Sequence, residues 1–378
     1  MTMITGFRLK EGGFLQADIL LTSPKGTWMP PSQIPSFRTT TDNPGLESHT
    51  VVGLCQKILV VNEHFAVAFA GIVPDIQDAV RLIDKLLAQS PDLTGKRFME
   101  ALLADDRLKK ADMKAIALSV ENEEVHITNY CAEFGASNEH FELYVGGAGL
   151  EHAIEHYEEF HLHAFDVAEE DIVVQGTCMA LDQFARYLTN EFDKKFESET
   201  IANLFGGGFE VVAYHSGQFH KISDVVYAYA EAELDANGIL QIDHPKLLLK
   251  STYQGDDLII RSVEIHYDED EEDYTTQSDR TFTIAPITRY RETYVQEDCE
   301  DVNFLGEFLC YLVKVKKPSG SFTIPFIRKY NGHRGFAAKA FLATAHKENV
   351  QIIYSDTFEV ELKACVLDWM RQIHAAID

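Results

Sequence analysis

The sequence predicts an α+β fold: two layers of antiparallel sheet, each covered by a pair of helices, over residues 1–222, and a further α+β domain over 223–378. Three observations predict it. Short β-branched and aromatic runs, paired across tight turns, stand at both ends of the first 222 residues. Between them the apolar spacing changes to that of helices, giving the order hairpin, hairpin, helix pair, strands, helix pair, hairpin. The chain of 378 residues suits two domains or one large one and is long enough for a real core.

Residues 1–9 and 14–21 flank Lys10-Glu11-Gly12-Gly13 and read as a hairpin that places Thr2 at a sheet end. Threonine is small enough for a preceding initiator Met to be trimmed, which would leave a free Thr2 amine. Residues 22–49, with Pro24, Pro30, Pro31, Pro35 and Pro44, read as a long surface loop lying over a site. Residues 58–61 and 65–70 read as buried strands around Asn62-Glu63-His64. Gly71 ends the second, and Ile76, Ala79, Val80, Ile83, Leu86 and Leu87 then recur at helical spacing. A Lys opening a buried hairpin and a Gly closing it point to a polar site at the sheet edge. The plainer reading is a solvated Lys57 and a turn glycine.

Helical spacing returns at 98–103, strands at 114–120, 124–130 and 142–145, and a turn at Gly146-Gly147-Ala148-Gly149. An acidic helix over 150–160 and a strongly apolar one over 172–192 follow. Gly206-Gly207-Gly208 leads into a hairpin of 209–214 and 218–222. In the second domain 225–233 reads as strand or helix, 247–265 as two strands, and 282–284, 308–315 and 322–327 as strands. Residues 336–345 and 358–377 have helical character, and 268–273 form an acidic, solvated loop.

A hydrophobic fraction of 46% and a charged fraction of 25% are those of a soluble globular protein. No apolar run approaches the roughly 18 residues of a membrane span, and no basic-then-apolar leader opens the chain, so a cytoplasmic location is expected. Net charge −27 repels nucleic acid and anionic membranes. The six cysteines are scattered without CxxC pairs, so neither a disulfide framework nor a zinc ribbon is expected.

The first 222 residues resemble the proteasome β-subunit family of N-terminal nucleophile (Ntn) hydrolases, including its bacterial HslV-like peptidases. The resemblance is carried by Thr2, Gly12, Ala17-Asp18, Lys57-Ile58, Ala68-Phe69-Ala70-Gly71 with Asp75, Gly147-Ala148-Gly149 and the glycine cluster at 206–208. Thr2 and Asp18 lie sixteen apart and Lys57 and Gly71 fourteen apart, as in the family. The gap between Asp18 and Lys57 is longer, and the Pro-rich loop accounts for the excess. The family implies a four-layer αββα sandwich, ring-like homo-oligomers and cleavage of peptide or other amide bonds without metal or organic cofactor.

In that reading Thr2 is the nucleophile and its own α-amine, with an ordinary pKa of about 7.7–8.0, is the proton shuttle. Lys57 holds positive charge beside it, Asp18 pairs with and orients Lys57, and the Gly71 N–H faces the oxyanion, a donor worth roughly 3–4 kcal/mol. Two places depart from the family. Leu150 stands where a Ser supports the amine, and Asn203 or Ala202 where an acid is expected. The alternative is therefore a catalytically degenerate scaffold whose acidic second domain binds partners.

A separate motif, His152-Ala153-Ile154-Glu155-His156, fits H-x-x-E-H, which on a helix puts two zinc-binding imidazoles on one face with Glu155 as base. A third ligand would come from far downstream, Glu231 or Glu233. The plainer reading is an exposed acidic helix. The glycines at 146–149 lack a following Lys or Ser/Thr, so they read as a turn and not as a phosphate cradle.

Overall fold

The structure, a computed structural model, describes residues 2–23, 29, 33–38, 50–194, 197–235, 239–268, 273–297, 300–317, 320–347 and 349–377. Met1, most of the Pro-rich loop and the centre of the acidic run at 268–273 lie outside the described residues.

The chain begins with strands β1 (Met3–Leu9), β2 (Gly12–Asp18), β3 (Leu20–Ser23), β4 (Thr50–Leu54), β5 (Ile58–Asn62) and β6 (Phe65–Gly71). Helices α1 (Val73–Gln89) and α2 (Gly95–Ala104) follow, then β7 (Met113–Glu121), β8 (Glu124–Tyr130), β9 (Glu133–Asn138) and β10 (Phe141–Gly147). Next come α3 (Leu150–Glu158), α4 (Ile172–Lys194), the single turn α5 (Glu199–Ala202), β11 (Phe209–His215) and β12 (Gln218–Lys221). The remainder holds β13 (Val225–Leu234), β14 (Leu240–Ile242), β15 (Leu247–Gln254), β16 (Asp257–Asp268), β17 (Asp273–Ile284), β18 (Tyr294–Glu297), β19 (Val302–Asn303), β20 (Phe308–Lys317) and β21 (Gly320–Lys329). It closes with α6 (Gly332–Lys339), β22 (Phe341–His346), β23 (Asn349–Tyr354) and α7 (Phe358–Ile377).

A six-stranded antiparallel sheet, β12-β11-β2-β1-β10-β9, faces a four-stranded one, β5-β6-β7-β8. Between them Ile4, Leu15 and Ala17 pack on Ile58, Ala66, Ala68, Ile116 and Leu118. The sheets approach closely at Gly6, where an added Cβ would lie 2.3 Å from the Ile116 side chain. Alternation explains the hairpins: successive side chains point to opposite faces, and each face meets an apolar layer. Ile76, Ile83, Phe98 and Leu102 of α1 and α2 cover the outer face of the four-stranded sheet through Phe65, Val67 and Phe69. Helix α4 lies on β2 and β11, with Phe184 stacked on Phe209 at 4.2 Å between centroids.

An eleven-stranded sheet dominates the rest, with β13 and β20 paired in parallel over Val225↔Phe308 to Glu233↔Lys316. Its centre is buried on both faces. Val225, Tyr227 and Tyr229 join the core of α4, while Val226, Ala228 and Ala230 join a second core closed by α6 and α7. This two-sided burial is why 225–233 shows no clean period and reads as strand or helix.

The expected fold, a four-layer αββα sandwich with a further C-terminal α+β domain, is corrected by this arrangement. Strand outweighs helix, 47% against 30%, in large curled sheets and a half-barrel. Helix α4 is not an outer layer: it also packs on β20 and β21, and Asp193 near its end meets Tyr229 Oη at 2.9 Å and the Lys314 ammonium. One hydrophobic core includes Phe14, Phe184, Tyr227, Leu249 and Leu312, so it runs across residue 222. Locally, 336–345 splits into α6 and β22, and the polar strand β9 is one that hydrophobic spacing misses. No helix among the described residues is long and apolar enough to cross a membrane.

Because α4 belongs to a core shared by both parts, Phe184→Ala should lower stability by about 3–5 kcal/mol in urea unfolding followed by circular dichroism. A single transition should shift as a whole. Two separated transitions, with only one displaced, would contradict the shared core.

Candidate active site

The β1–β2 register pairs Ile4 with Ala17, so the hairpin brings the residues just before β1 beside the end of β2. Thr2 and Asp18 meet there: Thr2 Oγ1 donates to Asp18 Oδ1 at 2.6 Å, and the Met3 N–H donates to the same oxygen at 2.8 Å. Lys57, immediately before β5, enters from the facing sheet. Its ammonium donates to Asp18 Oδ1 and to the Leu20 carbonyl, both at 2.7 Å, and to Thr2 Oγ1. An ammonium has three donors, and all three are used.

The cluster is dry. Thr2 is 2% exposed, Lys57 4% and Asp18 0%. Burial pulls the Lys57 pKa down, and the Asp18 charge and hydrogen bond oppose that pull. Burial pushes the neighbouring Cys55 thiol up to about 12, so it is no competing nucleophile at neutral pH.

Asp18 Oδ2 accepts from the Leu20 N–H at 3.0 Å and the Gly206 N–H at 2.9 Å. The Gly207 N–H turns instead to Glu191 Oε2 at 2.9 Å. Gly206 has φ of 118°, and a Cβ there would lie 2.1 Å from Glu191 Oε1, so this position requires glycine. Glu191 also accepts from Ser36 Oγ and from Thr200 Oγ1. Burial raises its pKa to about 7, with the Ser36, Thr200 and Gly207 hydrogen bonds opposing. Behind Lys57, Glu210 Oε1 accepts the backbone N–H groups of Lys57 and Ile58.

The structure thus brings Thr2, Asp18 and Lys57 together. Gly71 ends β6 with φ of 128° and lies against Asp112 and Met113. No hydrogen bond among the described residues joins it to the other three. Its strand still reaches them, since the Phe69 N–H donates to the Lys57 carbonyl at 3.0 Å. Leu150 opens α3, and the exposed Asn203 amide bonds the His152 ring at 3.0 Å. His156 points elsewhere, its Nε2 lying 3.3 Å from the Met179 carbonyl in a buried site that lowers its pKa to about 3. Glu231 is taken by Lys246 and Lys316. Among the described residues no three His, Cys, Asp or Glu side chains gather as a metal site.

Sequence reasoning missed Glu191, Glu210 and Gln56. Glu210 carries a visible signal, a lone carboxylate inside an apolar run (Phe209 to Ala213), whereas Glu191, between Asn190 and Phe192 and followed by Asp193 and Lys194, reads as an ordinary polar helix position. Gln56 carries none. No protein-family model matches the chain, and no curated protein matches it.

Two predictions follow from this geometry. The folded-state pKa of Glu191 lies above its unfolded value of 4.5, so the folded protein holds a proton that the unfolded chain releases. Its stabilising contribution is complete below 4.5 and disappears as pH rises to about 7, on the order of 3 kcal/mol at about 1.36 kcal/mol per pH unit. Glu191→Gln should flatten stability across that window in urea titrations at stepped pH; an unchanged slope would remove Glu191 as its source. At Gly147, with φ of 95°, a Cβ would lie 1.8 Å from the Thr2 carbonyl oxygen. That carbonyl also accepts the Ala148 N–H at 2.6 Å. Gly147→Ala should therefore displace Thr2 from Asp18, measured as altered amide shifts at Met3 and Gly206.

Proposed function

We propose that this chain is an N-terminal threonine hydrolase that cleaves peptide or other amide bonds, with Thr2 exposed as the first residue once Met1 is removed. The observation that supports it is the position of Thr2 Oγ1 between the Lys57 ammonium and the Asp18 carboxylate, inside a buried cluster. Oγ1 attacks the amide carbon, and its proton passes to the free Thr2 amine. As negative charge grows on Oγ1 the hydrogen bond from Lys57 strengthens, so the ammonium acts on the transition state more than on the resting enzyme. The leaving amine takes the proton from the Thr2 ammonium, and water then hydrolyses the acyl ester by the same shuttle. The resemblance assigns the oxyanion to the Gly71 N–H. The same resemblance supports a homo-oligomer.

A second reading, a non-catalytic scaffold, is favoured by the near-complete burial of Thr2 and by Leu150 and Asn203 at the places of the amine's partners.

Intact-mass spectrometry and a panel of amide-linked fluorogenic substrates separate the two. Expected are loss of Met1 and hydrolysis that Thr2→Ala abolishes and Lys57→Ala lowers by about 10²–10³. Lys57→Arg should fail as well, because a planar fork does not replace a compact ammonium among three close acceptors. Lys57→Ala should also cost about 3–5 kcal/mol of stability by stranding the buried Asp18 charge. Met1 retained in the native host leaves only the scaffold. Near wild-type turnover in Lys57→Ala would remove Lys57 from the mechanism.

A further inference from the structure

Gln56 is wholly buried, and every polar group it carries is engaged. Its amide nitrogen donates to the carbonyls of Asp256 at 2.8 Å and Ile284 at 2.7 Å, and its side-chain oxygen accepts from the Lys221 ammonium. Its backbone N–H donates to the Ala285 carbonyl and its carbonyl accepts from the Ile287 N–H, both at 3.1 Å. Four of these five bonds run to residues 256–287, far along the chain from the candidate site. The next residue is Lys57.

The direction of the Lys57 side chain is set by the two peptide planes that flank its Cα. The plane before it is held on its carbonyl side by the Ile287 N–H, with the weaker Cys55 Sγ donor at 3.2 Å, and on its amide side by Glu210. The plane after it is held by the Phe69 N–H and again by Glu210. The ammonium must reach three acceptors at once, which tolerates little rotation at Cα. We infer that Gln56 is a positioning residue through which residues 256–287 aim the Lys57 ammonium at Thr2 Oγ1 and Asp18. The later part of the chain, on this inference, completes the site. It rests on the reading of Thr2 and Lys57 given above.

Two substitutions isolate the clamp. Gln56→Met keeps the length of the side chain and removes its hydrogen bonds. Ile287→Pro removes the backbone N–H that holds the Gln56 carbonyl, together with buried side-chain bulk, and leaves that carbonyl only the weak Cys55 Sγ donor at 3.2 Å. Pro286, with φ of −69° and ψ of 156°, already has the conformation that a following proline requires. Ile287→Ala is the control, since it loses similar side-chain bulk but keeps the N–H. Two readouts are taken on the full, Met1-processed chain. One is kcat and KM on an amide substrate. The other is titration of Lys57 in ¹³C-lysine-labelled protein, its signal assigned by its absence from Lys57→Ala.

The expected result is a loss of about 10²-fold in kcat, with KM little changed, for Gln56→Met and Ile287→Pro and not for Ile287→Ala. The Lys57 midpoint should fall further below the ordinary lysine value of about 10.4 in the same two variants only, because a misaimed ammonium loses the Asp18 carboxylate while its burial remains. Equal kcat and equal Lys57 midpoints in Ile287→Pro and Ile287→Ala would overturn the inference and leave Gln56 a structural tie. Should Gln56→Met not fold, the Ile287 pair decides alone. If the wild type hydrolyses no amide, the functional reading fails, and the Lys57 titration still decides whether the clamp exists.

Discussion

A carboxylate removed from water persists only where the protein supplies donors and positive charge, and Asp18 receives both from four separate stretches. Thr2 and Met3 come from the chain start, Leu20 from the next strand, Lys57 from the facing sheet and Gly206 from the turn before β11. Each must reach one buried group, so the group fixes their mutual positions. The demand propagates. Gly206 presents its N–H only in a backbone conformation that suits glycine, and Glu191 occupies the space that a side chain there would need. Glu191 in turn needs Ser36, Thr200 and the Gly207 N–H. A third buried carboxyl group, Glu210, holds the backbone of Lys57 and Ile58 from the opposite side.

The large sheet is tied to this cluster twice. Helix α4, which carries Glu191, has one face on β2 and β11 and another on β20 and β21, so its rotation is set by both sheets together. The stretch after β17 reaches Gln56, and Ile287 joins the core under α1. Removing the later half of the chain would therefore expose α4 and release the peptide plane before Lys57. It would disturb the site from two directions without touching Thr2 or Asp18.

Much of the site was legible because its residues sit at hairpin ends. The spacing from Thr2 to Asp18 is a property of two strands and a tight turn, and period-two alternation shows both strands in the sequence. Lys57 was legible as a charge abutting a buried strand. The layer arrangement was not, for a physical reason. Parallel pairing of β13 with β20 joins residues more than eighty apart, and no local signal specifies it. A strand buried on both faces, such as Val225 to Ala230, loses the alternation that would mark it. The double-sided packing of α4 showed only as unusual apolarity over 172–192, which one sheet would not have needed. Gln56 was invisible, because a neutral amide beside a charged residue reads as surface until its five partners are in place.

In the proposed hydrolysis the two charges of the cluster would have different relations to chemistry. Asp18 accepts the Thr2 hydroxyl proton, so its bond to Oγ1 stabilises the resting state and is surrendered when that proton leaves. Lys57 donates to the same oxygen, so its bond grows as the oxygen becomes negative. A nucleophile held by Asp18 alone would be trapped in its ground state. The Lys57 ammonium reverses that balance, but only while it remains charged in a site whose burial favours the neutral amine. Asp18 and the Leu20 carbonyl supply what keeps it charged. On the proposed reading the carboxylate would serve the reaction chiefly by maintaining the lysine, and the inferred clamp on Gln56 would matter because the lysine has to meet all three acceptors from one backbone position.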